Sequence, residues 1–216
     1  GEDGRPGVAL PREDPREGGG DLGAALRAQA GASHRLVVYP SYVAQGRAMT
    51  TGLDLLVLGV GDAFSALHYS TSFALHTQDR WLLVDCPHPI RKMVREASVA
   101  AGVALDLDGI EAVALTHLHA DHASGLEGIG FFSHFALGRR TQLAVHPAVA
   151  ARLWDGHLAA GMEQLLGGSG DATRLGLGDY FDLVALAENR STRVGPFEIE
   201  CRFTRHHVPT TALRVS

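Results

Sequence analysis

Cysteine is scarce: the 216-residue chain has two, Cys86 and Cys201. Each lies in an apolar, strand-like run, so both read as buried free thiols. Two such residues build no disulfide framework, and no Cys-x-x-Cys pair is present, which points to a reducing compartment and a cytoplasmic location. No run of 18 or more apolar residues occurs, so no membrane span is expected. An excess of positive charge is missing as well. The net charge is −5, of which residues 1–21 carry −3 through six acids and three arginines, leaving −2 for the rest. A body so near neutrality has no global basic field, and net charge does not support nucleic acid as a partner. The first residue is Gly1 rather than Met, which leaves open whether a signal peptide preceded it.

What is present suits one globular domain with a sizeable core: 45% of residues are hydrophobic and 20% charged. Residues 1–22, rich in Gly, Pro and charge, read as a disordered tail. Residues 23–52 form an uncertain lead-in in which RLVVYPSYV holds a short strand broken by Pro40. From Leu53 the pattern sharpens. LDLLVLGV (53–60) is an apolar run closed by a Gly61-Asp62 turn, and TSFALHT (71–77) with RWLLVDC (80–86) forms a hairpin. HPIRKMVREASVAAG (88–102) places Ile90, Met93, Val94 and Ala97 on one helical face, with Pro89 in the first turn. GIEAVALT (109–116) and TQLAVH (141–146) are strands. A helix is expected from Pro147 to about Leu166, with Val149, Leu153, Leu158, Met162 and Leu165 in the core. FDLVALAE (181–188), GPFEIECRFTRHH (195–207) and TALRVS (211–216) are further strands. Strands first, then alternating strand and helix, give an α/β layered fold with a mixed sheet. The last strand pattern is cut at Ser216, so the chain is expected to be a fragment.

One stretch carries chemistry. Residues 116–122 read THLHADH, and the core of that motif should arise by chance in roughly two of a thousand shuffled chains. The alternative is a polar loop with solvated histidines. His117 and His119, two apart in extended backbone, point to the same side and suit one Zn²⁺-like ion at about 2.0–2.1 Å. Asp121 and His122 follow after the chain turns and suit a second ion about 3.5–4 Å from the first. No cysteine lies near the cluster, so an iron–sulfur site is not expected.

THLHADH at the end of a buried strand resembles the signature of the metallo-β-lactamase fold, and the resemblance covers residues 53–216. It also rests on LGVGD (58–62), LLVDC (82–86) and HHVPTTALR (206–214), the last similar to a segment of the ribonuclease Z-like branch. The resemblance implies an αββα sandwich with its C-terminal part missing here. It implies a centre of one or two metals, usually zinc, with iron or manganese as alternatives. His117 and His119 match the first metal site, and Asp121 and His122 the second. His206 stands where the family's next histidine ligand belongs. Strand alternation through Phe197, Ile199, Cys201 and Phe203 points instead to His207; because alternation often fails at a strand end, His206 is preferred. Asp85 matches a family aspartate that orients a metal histidine, beside the alternative of an ordinary strand-ending turn. His88 reads as structural at a helix start, although it is placed to line the site. Gly61 and Asp62 shape a loop beside the pocket. His68, His76, His134, His146 and His157 read as structural or surface. A bridging aspartate and a final histidine are expected beyond Ser216.

The function implied is a metal-dependent hydrolase using a metal-activated water on a phosphodiester or similar small ester, with Asp121 as ligand and water-positioning base. Two alternatives stand beside it: an iron-dependent oxygen- or sulfur-handling member of the same fold, and a catalytically incomplete metal-binding or interaction domain. The segments Pro-Thr-x-x-Arg and Gly-Glu-Gly-Thr, which mark tRNA-processing members, have no match in AFSALHYSTS or PHPIRK. For this chain alone, weak metal binding and little turnover are expected.

Overall fold

Apolar runs without clean alternation, such as Leu82-Leu83-Val84, belong to strands buried on both faces. The computed structural model describes residues 34–37, 52–168 and 170–216, and it puts those runs in the middle of a large sheet. The strands are β1 (His34–Val37), β2 (Leu53–Gly59), β3 (Ser72–Thr77), β4 (Arg80–Val84), β5 (Ile110–Leu115), β6 (Thr141–Val145), β7 (Gln164–Leu166), β8 (Ala172–Arg174), β9 (Phe181–Ala185), β10 (Ser191–Val194), β11 (Phe197–Phe203) and β12 (Thr211–Val215). Seven of them make one mixed sheet in the order β1-β2-β3-β4-β5-β6-β9. The pairs β2–β3 and β3–β4 are antiparallel, whereas β4, β5, β6 and β9 run parallel. β10, β11 and β12 form a second, antiparallel sheet, and β7 with β8 a separate hairpin.

Helix α1 (Ile90–Ala101) makes the crossover from β4 to β5. It buries Ile90, Met93, Val94 and Ala101, and it ends at Gly102, whose left-handed φ of 65° suits glycine. The short helices α2 (Ala120–Ala123), α3 (Leu126–Phe131), α4 (Pro147–Ala150), α5 (Ala159–Met162) and α6 (Leu177–Tyr180) follow. Strands β2 to β6 and β9 of the large sheet serve two cores. Leu56, Leu58, Leu83, Val113, Leu115, Leu143 and Val145 pack against the helices. Leu75, Leu82, Ala112, Ala114 and Ala144 turn to the other face and meet Phe197, Ile199 and Cys201 of the second sheet. Small alanines on the first sheet leave room for the Phe197 ring on the second. The result is a helix layer, a large sheet and a small sheet, as the α/β expectation requires. Each fully buried leucine contributes about 1.5–3 kcal/mol to holding these layers together. Among the described residues, no helix is long and apolar enough to cross a membrane.

The second long helix differs from expectation. Instead of running from Pro147 to Leu166, the backbone stops at Ala150, makes a π-helical turn over Trp154–Leu158 and resumes only for α5. Val149, Leu153, Leu158 and Met162 are buried as expected, but Leu165 lies in the β7–β8 hairpin. The extra residue in a π turn keeps the apolar side chains inward while breaking the helix. The expected tail at 1–22 lies outside the described residues. So does most of the 23–52 lead-in, of which β1 is described and pairs with β2 in parallel.

Candidate metal centre

Parallel strands β4, β5 and β6 all end at one edge of the sheet, and ligands of α/β sheets gather at such carboxyl ends. Asp85 follows β4 directly. Thr116 and His117 follow β5, and His119 closes the loop as the residue capping α2. The β11–β12 connection, residues 204–210, brings His206 over the same edge. It is closed by Thr204 N–H donating to the Thr210 carbonyl at 2.9 Å. It is also tied to the cluster, because Thr211 N–H donates to the Thr116 carbonyl at 3.1 Å.

His117, His119 and His206 offer ligand atoms that all lie within 4.8 Å of one another. His206 Nε2 and His119 Nδ1 are 3.0 Å apart, and the His206 ring stands edge-on to the His117 ring at 5.0 Å. His207 lies outside this group, although its ring is 5.3 Å from that of His206. The alternation that favoured His207 stops early: Cys201 is buried, Phe203 is 44% exposed and β11 ends there. Asp121 and His122 sit beside the three imidazoles. The His122 ring lies 4.1 Å from that of His117, tilted 44° to it, and its Nε2 is 3.5 Å from Asp121 Oδ2.

Beneath the cluster, Asp85 is buried in a left-handed conformation, φ 58°. Its Oδ1 accepts from Thr116 N–H at 2.8 Å, and its Oδ2 lies 2.7 Å from His122 Nδ1. The Thr116 hydroxyl reaches both Asp85 oxygens, at 2.9 and 2.8 Å, and also His117 Nδ1 at 2.9 Å. Asp85 is thus a partner of the cluster rather than a plain turn residue. Thr116 is the residue that sequence reasoning missed, although it heads the motif. Ser72 is a second: buried, it donates to the Asp85 carbonyl at 3.0 Å. His88 is exposed, and its backbone N–H donates to Ser124 Oγ at 2.9 Å. Gly61 and Asp62 shape a closed loop, with Gly61 N–H donating to the Tyr69 carbonyl at 2.8 Å and Asp62 accepting from Phe64 N–H at 2.9 Å. Of the remaining histidines, His76 is buried against Trp81, and His146 caps α4 by accepting from Ala148 N–H.

The electrostatics suit a cation. Burial, and then the neighbouring His122, push the His117 pKa down to about 4, so its ring is neutral at pH 7 and free to donate a lone pair. His206 is lowered too, by desolvation and then by His119 and His207. For His122, burial pulls the pKa down, but the Asp85 hydrogen bond and the charges of Asp85 and Asp121 outweigh it and the net shift is upward. With Asp85 on one ring nitrogen and Asp121 facing the other, His122 calls for positive charge at Nε2, which a proton or a metal ion supplies. Neutral imidazoles and a carboxylate converging in this way fit zinc-type coordination.

Two layers of sheet with a helical layer outside, and a histidine–aspartate cluster at the strand ends, define a protein of the metallo-β-lactamase fold. The metallo-β-lactamase fold protein YhfI from Bacillus subtilis superposes with a TM-score of 0.56 at 19% identity, covering 76% of this chain and 57% of YhfI. The short form of human tRNase Z shares the fold with a TM-score of 0.50 at 15% identity, covering 75% of this chain and 63% of that one. The model of the family "Anti-Pycsar protein Apyc1" matches residues 53–216, and the chain belongs to that family. An Anti-Pycsar protein Apyc1 from Paenibacillus sp. (strain J14) is 31% identical over 165 residues, 73% of this chain and 59% of the relative. The chain spans about half the length of the curated relatives it matches.

Proposed function

We propose that the protein is a metal-dependent hydrolase that cleaves a phosphodiester, with a cyclic nucleotide as the first substrate to try. The carrying observation is the convergence of His117, His119 and His206 beside the Asp121–His122 pair. Membership of the Apyc1 family supports the same reading. His117, His119 and His206 would hold one divalent cation, and Asp121 with His122 a second; zinc suits this donor set best, with iron and manganese as alternatives. Such a cation, when bound, lowers the pKa of a coordinated water and offsets charge building on phosphoryl oxygens.

The chain's own groups do the rest. Asp85 and Thr116 hold His122 and His117 with one ring nitrogen occupied and the other free. Asp121 orients the attacking water and accepts its proton as the new P–O bond forms. The proton then passes to the leaving alkoxide oxygen as the ester P–O bond breaks. His206 is exposed, so substrate approaches from its side.

The test is elemental analysis of the purified protein together with turnover of 3′,5′-cyclic nucleotides and of an activated phosphodiester. Weakly held zinc or manganese and slow diester cleavage, both lost in His119→Ala, are the expected results. Cleavage that survives His119→Ala with metal content unchanged would sink the site assignment. Iron with oxygen- or sulfur-dependent turnover and no diester cleavage would replace the hydrolase reading.

A further inference from the structure

A cleft of about 160 Å³ opens beside the histidine cluster, and three segments build it. Leu118 comes from between His117 and His119. Val208 and Pro209 come from the loop that carries His206. Val149, Arg152 and Gly156 come from α4 and the turn after it. That third wall is fixed to the cluster, because His157 Nε2 lies 3.3 Å from the carbonyl of Ala123, one residue past His122.

The walls are apolar, and Arg152 is the charged residue among those lining the cleft. Its side chain is exposed, and no carboxylate among the described residues pairs with it. At ~30 Å³ per water the space equals about five waters. That is room for one flat ring system and well short of the roughly 300–1,000 Å³ of a pocket for a larger ligand.

We propose that this cleft takes the base of a nucleotide substrate, with Arg152 donating from the rim to a ring carbonyl oxygen. The proposal rests on the phosphodiesterase reading of the histidine cluster. A diester held at the imidazoles must project its substituent into a neighbouring space, and Leu118 is flanked in the chain by two of those imidazoles. Apolar side chains such as Leu118, Val149 and Val208 suit the faces of a ring. A guanidinium offers planar donors to a ring carbonyl and can also lie over the ring. A lone solvated arginine is the plainer alternative; the placement at the mouth of an apolar cleft that shares its walls with the cluster argues against it.

The experiment compares wild type with Arg152→Ala in two assays. The first is hydrolysis of 3′,5′-cyclic uridine monophosphate and of its abasic analogue, 1-deoxyribose 3′,5′-cyclic monophosphate, which has no nucleobase. Arg152→Ala is expected to raise KM for the cyclic nucleotide about tenfold, as loss of a rim hydrogen bond from a charged donor would. kcat, metal content and cleavage of the base-free diester should stay unchanged. The second is binding of uridine 5′-monophosphate and of ribose 5-phosphate to the metal-stripped protein, followed by Trp154 fluorescence. The uridine compound should bind, about tenfold more weakly in Arg152→Ala, and ribose 5-phosphate should not.

Equal loss on both diesters would assign Arg152 to the phosphate and overturn the proposal. So would unchanged uridine 5′-monophosphate binding in Arg152→Ala, or equal binding of the sugar phosphate. Wild type that cleaves neither diester yet binds uridine 5′-monophosphate through Arg152 would refute the hydrolase reading and keep the cleft. Wild type that cleaves both diesters but does not bind the uridine compound would do the reverse.

Discussion

Asp85 Oδ2 lies 2.7 Å from Nδ1 of His122, across 37 residues of sequence. The carboxylate follows β4 and the imidazole lies within α2, so one contact locks the end of one strand to the turn after its neighbour. It also fixes chemistry, because Nδ1–H donating to Asp85 leaves Nε2 of His122 as the free nitrogen.

Asp85→Asn keeps the shape and removes the charge, and asparagine tolerates the left-handed backbone that Asp85 adopts. Zinc affinity is expected to fall about 10- to 100-fold, the usual cost of losing a carboxylate behind a ligating histidine. Competition with a chromogenic chelator measures it. Unchanged affinity would mean that His122 is oriented by something else, or is not a ligand.

His206→Ala and His207→Ala separate two neighbours between which the sequence preferred His206. His206 stands with its Nε2 3.0 Å from His119 Nδ1, and His207 is outside the cluster. His206→Ala is expected to lower metal content by at least one equivalent, with His207→Ala indistinguishable from wild type. Elemental analysis of the two variants reads the difference directly. Loss of metal in His207→Ala alone would reverse the assignment.

The strands from Leu53 onward were legible because most are buried on two faces and leave continuous apolar runs. Leu82 and Leu83 turn to opposite cores, yet both are apolar. The 147–166 helix was not legible as a broken one, since the π turn at Trp154–Leu158 preserves the inward spacing of Val149, Leu153, Leu158 and Met162. The histidine cluster was legible because four ligand-type residues within six positions leave a local mark. Thr116 was not, because a hydroxyl before a histidine has no periodicity; its role exists only once β4 brings Asp85 beside it. Arg152 was hidden for the same reason, being joined to Leu118 and Val208 by the fold alone.

Thr116→Val tests that hidden role. The Thr116 hydroxyl proton goes to Asp85, and the oxygen then accepts from His117 Nδ1–H, which leaves Nε2 of His117 free. Valine fills the same volume and offers neither function. The cost is expected at about 1–3 kcal/mol, that of leaving partly buried polar partners unmatched, read from the shift in a urea unfolding midpoint. Thr116→Ser should recover most of it. Equal losses in both variants would assign the effect to packing of the methyl group instead.

The last prediction concerns pH in the metal-stripped protein. His117 is 5% exposed and its pKa is pushed down to about 4 by burial and then by His122. In the unfolded chain the same ring titrates near 6.5. Between those values the unfolded state binds more protons, so folding loses stability as pH falls through this window, and the full contribution is present above it. His122 works in the opposite sense: its folded pKa is raised, so its contribution is complete below the unfolded value and fades as pH rises through the folded one. Thermal melts from pH 4 to pH 8 should therefore show Tm dropping on the acid side, with a shallower drop in His117→Gln. His122→Gln should instead remove a decline on the alkaline side of 6.5. Added zinc should raise Tm least near pH 4, where metal must displace a proton from His117. An acid limb of the same slope in wild type and His117→Gln would show that other groups, and not this buried imidazole, carry the pH dependence.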